Sequence, residues 1–80
     1  MKIEVLAFGI AKDIFGGTSI DVELDGDATT ANLKATLEEQ YPKLKELRSY
    51  MVAVNDEYAN GDTAISEQDE IAIIPPVSGG

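Results

Sequence analysis

The stretch from residue 70 to residue 80 constrains this chain more than any other part of it. Ile71–Ile74 is an uninterrupted apolar run, which predicts a buried strand without a polar face. Pro75 cannot donate a ladder hydrogen bond, so we expect the strand to end before it. Pro75-Pro76 favours a stiff, extended exit, whereas Gly79-Gly80 is slim and free in φ. The pattern predicts a narrow tip whose carboxyl group can enter another protein's active site.

Charge and length limit the classes of function. Eighty residues allow one domain with one small core. Fifteen acidic and six basic residues give a net charge of −9. This balance argues against binding to nucleic acid or to anionic membrane surfaces, both of which require Lys and Arg. It favours solubility and basic protein partners.

The chain has no cysteine and no histidine. Disulfides, thiolate catalysis and Cys-ligated metals are therefore excluded, and the commonest general base is missing. The carboxylates show neither the spacing of a catalytic pair nor that of a calcium loop, so we expect no metal site. No apolar stretch approaches the roughly 18 residues of a membrane helix, and no signal peptide is evident. We expect a cytoplasmic protein.

Periodicity predicts a mixed α and β domain. A helix should begin at Thr29 or Thr30, which can cap it, and should end near Gln40 or Tyr41, because Pro42 follows. Leu33, Leu37 and Tyr41 form its apolar stripe, and Leu44 and Leu47 suggest a further short turn that docks on the core. Strands are predicted at residues 3–8, 19–24, 51–54 and 71–74, with a short return strand at 57–59 and a loose helical turn at 11–15.

One helix can cover only one face of a sheet. The first and last strands alternate least, so we expect them to be central neighbours. Ile3, Val5, Ala7, Ile71 and Ile73 would then pack under the helix. The uncovered face would carry an apolar, protein-binding patch of Leu6, Phe8, Ala72 and Ile74. The alternative is that the loops around Phe15 or residues 43–47 fold over this face.

These residues resemble the small subunit of molybdopterin synthase, a sulfur carrier. The likeness rests first on the last eight residues, IIPPVSGG, at 73–80. Weaker signatures are VLAF at 5–8 leading to DIFG at 13–16, VAVN at 52–55 and DEIA at 69–72. Ala7 departs from the family, which often has a larger residue there.

The resemblance implies the ubiquitin-like β-grasp, an α+β fold with a mixed sheet of four to five strands and one main helix packed on one face. It also implies a β-grasp domain at residues 1–76 and a flexible tail at 77–80.

The resemblance further implies a reaction cycle. A ubiquitin-activating-like adenylyltransferase would use ATP to adenylate the carboxylate of Gly80, and sulfur transfer would convert it to a thiocarboxylate. The large subunit of molybdopterin synthase would then receive the tail, and sulfur would pass to cyclic pyranopterin monophosphate for the molybdenum or tungsten cofactor. No permanently bound cofactor is implied, only covalent AMP or sulfur at Gly80.

Residue roles follow from the same resemblance. Gly80 would carry the chemistry, and Phe8, Tyr58 and Ile74 would face the partner. The residues that guide tail insertion would be Pro75, Pro76, Val77, Ser78 and Gly79.

Three other functions stay open at this stage. The chain could be a sulfur carrier for another pathway, such as thiamine synthesis. It could be a ubiquitin-like modifier that is joined through Gly80 to lysines of other proteins. It could also be an interaction domain with an inert terminus.

Overall fold

The computed structural model describes residues 1–47 and 50–75. Within them, five strands form one sheet, in which two central strands run parallel and the other neighbours run antiparallel. The strands are β1 (Lys2–Ala7), β2 (Ser19–Glu23), β3 (Met51–Val54), β4 (Glu57–Tyr58) and β5 (Ile71–Ile74). Their order across the sheet is β2-β1-β5-β3-β4. The predicted mixed sheet, with the first and last strands as central neighbours, is confirmed.

Two helices and a 3₁₀ turn complete the described fold: α1 (Ile10–Phe15), α2 (Thr30–Gln40) and the turn at Pro42–Glu46. Thr29 caps α2, because its backbone N–H donates to Oδ1 of Asn32 at 2.9 Å and its hydroxyl oxygen accepts from the Asn32 N–H. Pro42 begins the 3₁₀ turn and cannot continue the α-helical ladder. Both predicted ends of the main helix are confirmed.

The core lies between α2 and one face of the sheet. Leu33 and Leu37 of α2 are fully buried, and Leu44 of the 3₁₀ turn joins them. Burial of one such side chain is worth about 1.5–3 kcal/mol, so each of these leucines contributes strongly to the stability of a small domain. The sheet contributes the five residues that were predicted to face the helix, namely Ile3, Val5, Ala7, Ile71 and Ile73.

No segment within residues 1–47 and 50–75 covers the opposite face of the sheet. Phe15, one of the candidates for covering it, instead packs edge-to-face on Tyr41 in the core, with 4.8 Å between the ring centroids. Leu44 is likewise buried in the core. The alternative in which these segments fold over the second face is therefore wrong.

One predicted boundary differs from the structure, and another lies outside the described residues. β1 ends at Ala7 rather than Phe8, since Gly9 follows at φ 56° and turns the chain into α1. The predicted division between a domain at 1–76 and a tail at 77–80 lies outside the described residues and stays a prediction.

Candidate docking site on the uncovered sheet face

A row of paired residues crosses four strands on the uncovered face. Leu6 of β1 pairs with Ala72 of β5, Ala72 pairs with Ala53 of β3, and Ala53 pairs with Tyr58 of β4. The two central members are alanines, which are too short to rise far above the sheet. The row is therefore low in the middle and high at both ends.

A second row of residues on this face lies two residues closer to the carboxyl end of β5. Ile74 pairs with Met51 of β3. The parallel ladder pairs Ala7 with Ile73, so one residue further on Phe8 lies beside Ile74. Phe8 and Met51 are 48% and 45% exposed, values that leave about half of each large apolar side chain in water.

The two rows enclose a groove of about 270 Å³, which we call the apolar groove. Its floor is Ala53 and Ala72, and the larger side chains stand around them. The lining residues are Leu6, Phe8, Ala53, Asp56, Tyr58, Glu70, Ala72 and Ile74. The predicted partner-facing residues Phe8, Tyr58 and Ile74 are thus brought together around one concave surface.

Carboxylates surround the apolar groove. Asp56 and Glu70 stand at its edge. A second shallow depression of similar size shares Leu6 and Glu70 with it and is otherwise lined by Glu4, Glu67, Gln68 and Asp69. An apolar centre with an acidic border matches a partner surface that carries an apolar projection among basic side chains.

A hydrogen-bonded link fixes the start of β5 beside the apolar groove. The side-chain amide of Asn55 donates to Oδ1 of Asp69 at 3.0 Å, and the Ser66 N–H donates to Oδ2 of Asp69 at 2.8 Å. These two bonds hold the pKa of the Asp69 carboxyl below its usual range. Oδ1 of Asn55 accepts from the Glu70 N–H at 2.9 Å. The turn after β3 is thereby tied to the strand that leads to the tail.

Two left-handed residues make this link possible. Asn55 and Asp56 have φ of 53° and 70°, as the tight turn between β3 and β4 requires. Asn and Asp tolerate that region better than other residues with a Cβ. The Asn55-Asp56 pair therefore both closes the hairpin and places an amide against Asp69.

The chain leaves β5 immediately beside the apolar groove. Ile74 is the last strand residue, and Pro75 follows it, as predicted. The remaining predicted tail residues, Pro76, Val77, Ser78, Gly79 and Gly80, lie outside the described residues. Their assigned roles stay predictions.

Two features are absent from the described residues, namely a cluster of side chains that could hold a metal ion and a helix that could span a membrane. Across 1–47 and 50–75, no three Asp or Glu side chains are grouped so that they could hold a metal ion. Over the same ranges, no helix combines the length and apolar character needed to cross a membrane.

Sequence reasoning missed part of the apolar groove. Ala53 lines it, and Met51 lies on the same face of the sheet, because both alternate with Val52 and Val54, which turn towards the core. The period-2 pattern of β3 carried this signal, yet four apolar residues in a row show no polar face by which to assign the two sides. The pairing of β3 with β5, in which Ala53 lies opposite Ala72, settles which side is which.

Comparison with known proteins shows which family this chain belongs to. The model of the ThiS family matches residues 5–80, nearly the whole chain. The chain belongs to the ThiS family. Within it, a molybdopterin synthase sulfur carrier subunit from Dictyostelium discoideum is 41% identical over 83 residues, covering 99% of this chain and 96% of that protein. The human protein of the same description is 35% identical, covering 99% and 94%. The resemblance to molybdopterin synthase sulfur carriers is confirmed.

Solved structures confirm the ubiquitin-like β-grasp of this ThiS-family chain. Small archaeal modifier protein 1 from Haloferax volcanii superposes with a TM-score of 0.85 at 29% identity, covering all of both chains. One subunit in the complex of subunits 1 and 2 of the molybdopterin-converting factor from Helicobacter pylori gives a TM-score of 0.70 at 28% identity, again covering all of both chains. This chain is thus similar both to proteins described as sulfur carriers and to a protein described as a modifier.

Proposed function

We propose that this chain is a sulfur carrier for the molybdenum or tungsten cofactor, with Gly80 as the residue that carries the sulfur. The observation that supports this most is the apolar groove beside the exit of β5, in a chain whose relatives are molybdopterin synthase sulfur carrier subunits. A carrier must dock and present its tail at the same time. Here the docking surface and the start of the tail meet at Ile74 and Pro75.

The proposed chemistry begins with activation. A carboxylate is a poor electrophile, so an adenylyltransferase related to ubiquitin-activating enzymes joins it to AMP from ATP and releases pyrophosphate. A sulfur donor then displaces AMP and leaves a thiocarboxylate on Gly80. On this proposal the chain supplies the slim terminal residue, and partners carry out both steps. ATP and the donated sulfur are substrates of the cycle rather than resident cofactors.

Sulfur delivery takes place in a complex with the large synthase subunit. The related chain from Helicobacter pylori is described in a protein–protein complex of subunits 1 and 2, which supports a partner of this kind. On this proposal the apolar groove receives a bulky apolar side chain of the large subunit above Ala53 and Ala72. The carboxylates at its edge pair with basic groups of that subunit. On this proposal the reaction cycle takes place in the cytoplasm.

A C-terminal extension tests the role of Gly80. A chain with one alanine added after Gly80 has no carboxylate on the glycine, so we expect no conversion of cyclic pyranopterin monophosphate in a reaction with the large subunit, the adenylyltransferase, ATP and a sulfur source. Ala35→Leu, at an exposed position of α2 outside the tail and the groove lining, leaves Gly80 terminal and is the control that should retain activity. Normal activity from the extended chain would refute the proposal.

A second function is favoured by one observation. The chain is similar over its whole length to small archaeal modifier protein 1, at 29% identity. The same activated Gly80 could be attacked by a lysine amine of another protein, forming an isopeptide bond and releasing AMP. Detection of Gly80 joined to lysine in peptides from cell extract would establish this use, and its absence under conditions of active cofactor synthesis would leave the carrier role alone.

A further inference from the structure

The ladder between β1 and β5 brings a glycine to the exit of the tail. These strands are parallel, and the last pair in their ladder is Ala7 with Ile73. Two residues further along, the same register places Gly9 beside Pro75. Gly9 has φ 56° and ψ −134°, a conformation that side chains with a Cβ strongly disfavour.

Space, as well as backbone conformation, requires glycine at this position. A Cβ on Gly9 would lie 3.0 Å from Cγ of Pro75 and 3.9 Å from its Cδ. Cγ and a methyl carbon normally stay near 3.5–4.0 Å apart. The proline ring therefore rests on bare backbone, at the last described residue before the tail.

A second glycine of the same helix provides a comparison. Gly16, at the other end of α1, also has positive φ, at 80°, and its amide N–H donates to the Lys12 carbonyl at 2.8 Å. A Cβ on Gly16 would meet nothing within 4 Å. Both glycines satisfy a backbone requirement, but only Gly9 also makes room for another part of the chain.

We propose that Gly9 is a positioning residue that seats the ring of Pro75 and thereby sets the direction in which the tail leaves the sheet. This inference rests on the proposed function of Gly80. Gly80 lies five positions beyond Pro75, so an extended tail reaches at most about 17 Å, and a rotation of about 10° at its base would displace the tip by about 3 Å. Misplacement of a reacting group by about 1 Å can slow a reaction roughly 100-fold.

The test compares substitutions at the two glycines. Gly9→Leu should lower the single-turnover rate of sulfur transfer from thiocarboxylated carrier, at saturating large subunit, at least tenfold. Gly16→Leu also strains the backbone at the end of α1, but less, because φ 80° and ψ 22° lie in the left-handed helical region, and it should leave that rate within twofold of the wild type. The Pro75→Ala background separates the greater strain at Gly9 from the contact with the ring. The dissociation constant for the large subunit should change less than threefold in both. Equal rate losses at the two positions would overturn the proposal, because strain alone would then explain them.

A double variant isolates the contact with the ring. Pro75→Ala removes Cγ and Cδ, so in that background Gly9→Leu should cause no further loss of rate beyond twofold. If Gly9→Leu slows the Pro75→Ala protein as much as it slows the wild type, the contact between residue 9 and the Pro75 ring is not the cause of the rate loss.

A readout without sulfur chemistry separates this inference from the proposed function. Because the chain has no cysteine, a nitroxide attached to Ser78→Cys reports on the tail by broadening the amide signals of nearby residues. Gly9→Ala, whose methyl group still meets Pro75 and which is the milder change, should alter the set of broadened amides, whereas Gly16→Ala should not. If the set of broadened amides is unaltered in Gly9→Ala, the proposal that Gly9 sets the direction of the tail is overturned, even if the protein is an active sulfur carrier. If the set of broadened amides changes but the chain accepts no sulfur, the sulfur-carrier function is refuted and the positioning role of Gly9 stands.

Discussion

Met51 lies directly opposite Ile74 in the antiparallel ladder between β3 and β5. Met51 is 45% exposed and Ile74 is half-buried, so the pair adds exposed apolar surface at the carboxyl end of the last strand. Pro75 follows immediately. The apolar groove therefore extends to the point where the tail begins, and a partner that covers the groove also meets the base of the tail.

Phe8→Asp should weaken binding to the large subunit at least tenfold, because a carboxylate would be buried in an apolar contact without a partner. Ile10→Asp is a suitable control, since Ile10 is 51% exposed, close to the 48% of Phe8, and does not line the groove. Titration calorimetry of both variants checks the prediction. Equal affinities for Phe8→Asp and the wild type would show that the docking surface lies elsewhere.

Ala53→Leu should block the apolar groove without adding charge. The new side chain would stand on the groove floor, where we propose that a partner side chain docks, so affinity for the large subunit should fall about tenfold or more. Thermal stability should change little, since the side chain points to the open face. Ala35→Leu, the same change at an exposed position of α2, should leave affinity unchanged. Undiminished binding by Ala53→Leu would mean that the groove stays empty in the complex.

Tyr50→Phe should lower the free energy of unfolding by about 1–2 kcal/mol, the usual worth of a hydrogen bond to a charged group that is partly solvated. The Tyr50 hydroxyl donates to Glu38, while its ring lies under Nζ of Lys34 at 4.8 Å. Urea denaturation measures the change. Tyr58→Phe, at a residue that is 68% exposed, should change stability by less than about 0.5 kcal/mol.

The stability difference between the wild type and Tyr50→Phe should depend on pH in the alkaline range. Burial, followed by the hydrogen bond and the charge of Glu38, raises the pKa of Tyr50 well above its ordinary value of about 10. The neutral phenol is therefore favoured in the folded state, and its contribution to stability is complete below pH 10 and is lost above it. The advantage of the wild type over Tyr50→Phe should narrow as the pH rises beyond about 10. A constant difference would contradict the assigned bond.

Asp69→Asn should be less stable than the wild type at neutral pH and should approach it in acid. The pKa of Asp69 is lowered in the folded state by its bonds with Asn55 and Ser66, so its contribution is present above the unfolded pKa of about 3.9 and disappears as the pH falls through the lower folded value. Thermal midpoints between pH 6 and pH 2 measure this. Asn55→Gly keeps the left-handed turn but removes the bond from the Asn55 amide to Asp69 and the bond from the Glu70 N–H to Asn55. Its pH-dependent part should be a fraction of the loss in Asp69→Asn, because the bond from Ser66 to Asp69 remains. Parallel curves for Asp69→Asn and the wild type would contradict the link.

Periodicity and turn residues were sufficient to predict most of the fold. Alternation in Ser19–Glu23, the capping threonine before α2 and the stop at Pro42 are local signals, and each specifies one element. The central placement of β1 and β5 followed from their apolar character, because strands buried on both faces belong inside a sheet.

What could not be predicted depends on pairing between distant parts of the chain. Tyr50 directly precedes an apolar strand and carries no sign that its hydroxyl meets Glu38, twelve residues earlier. The seat of Pro75 on Gly9 likewise requires the parallel register of two strands at opposite ends of the sequence. Local patterns give the elements, whereas contacts such as these depend on how the elements are assembled.

The central claim is that Gly80 becomes a thiocarboxylate, and fragment-ion mass spectrometry of the C-terminal peptide tests it most directly. The chain is incubated with ATP, its adenylyltransferase and a sulfur source, and omission of ATP provides the control. Intact mass is insufficient, because exchange of oxygen for sulfur has nearly the same mass as oxidation of Met1 or Met51. We predict that an ATP-dependent mass increase is confined to Gly80. An unmodified Gly80, in the presence of an enzyme that demonstrably forms the acyl-adenylate, would contradict the account.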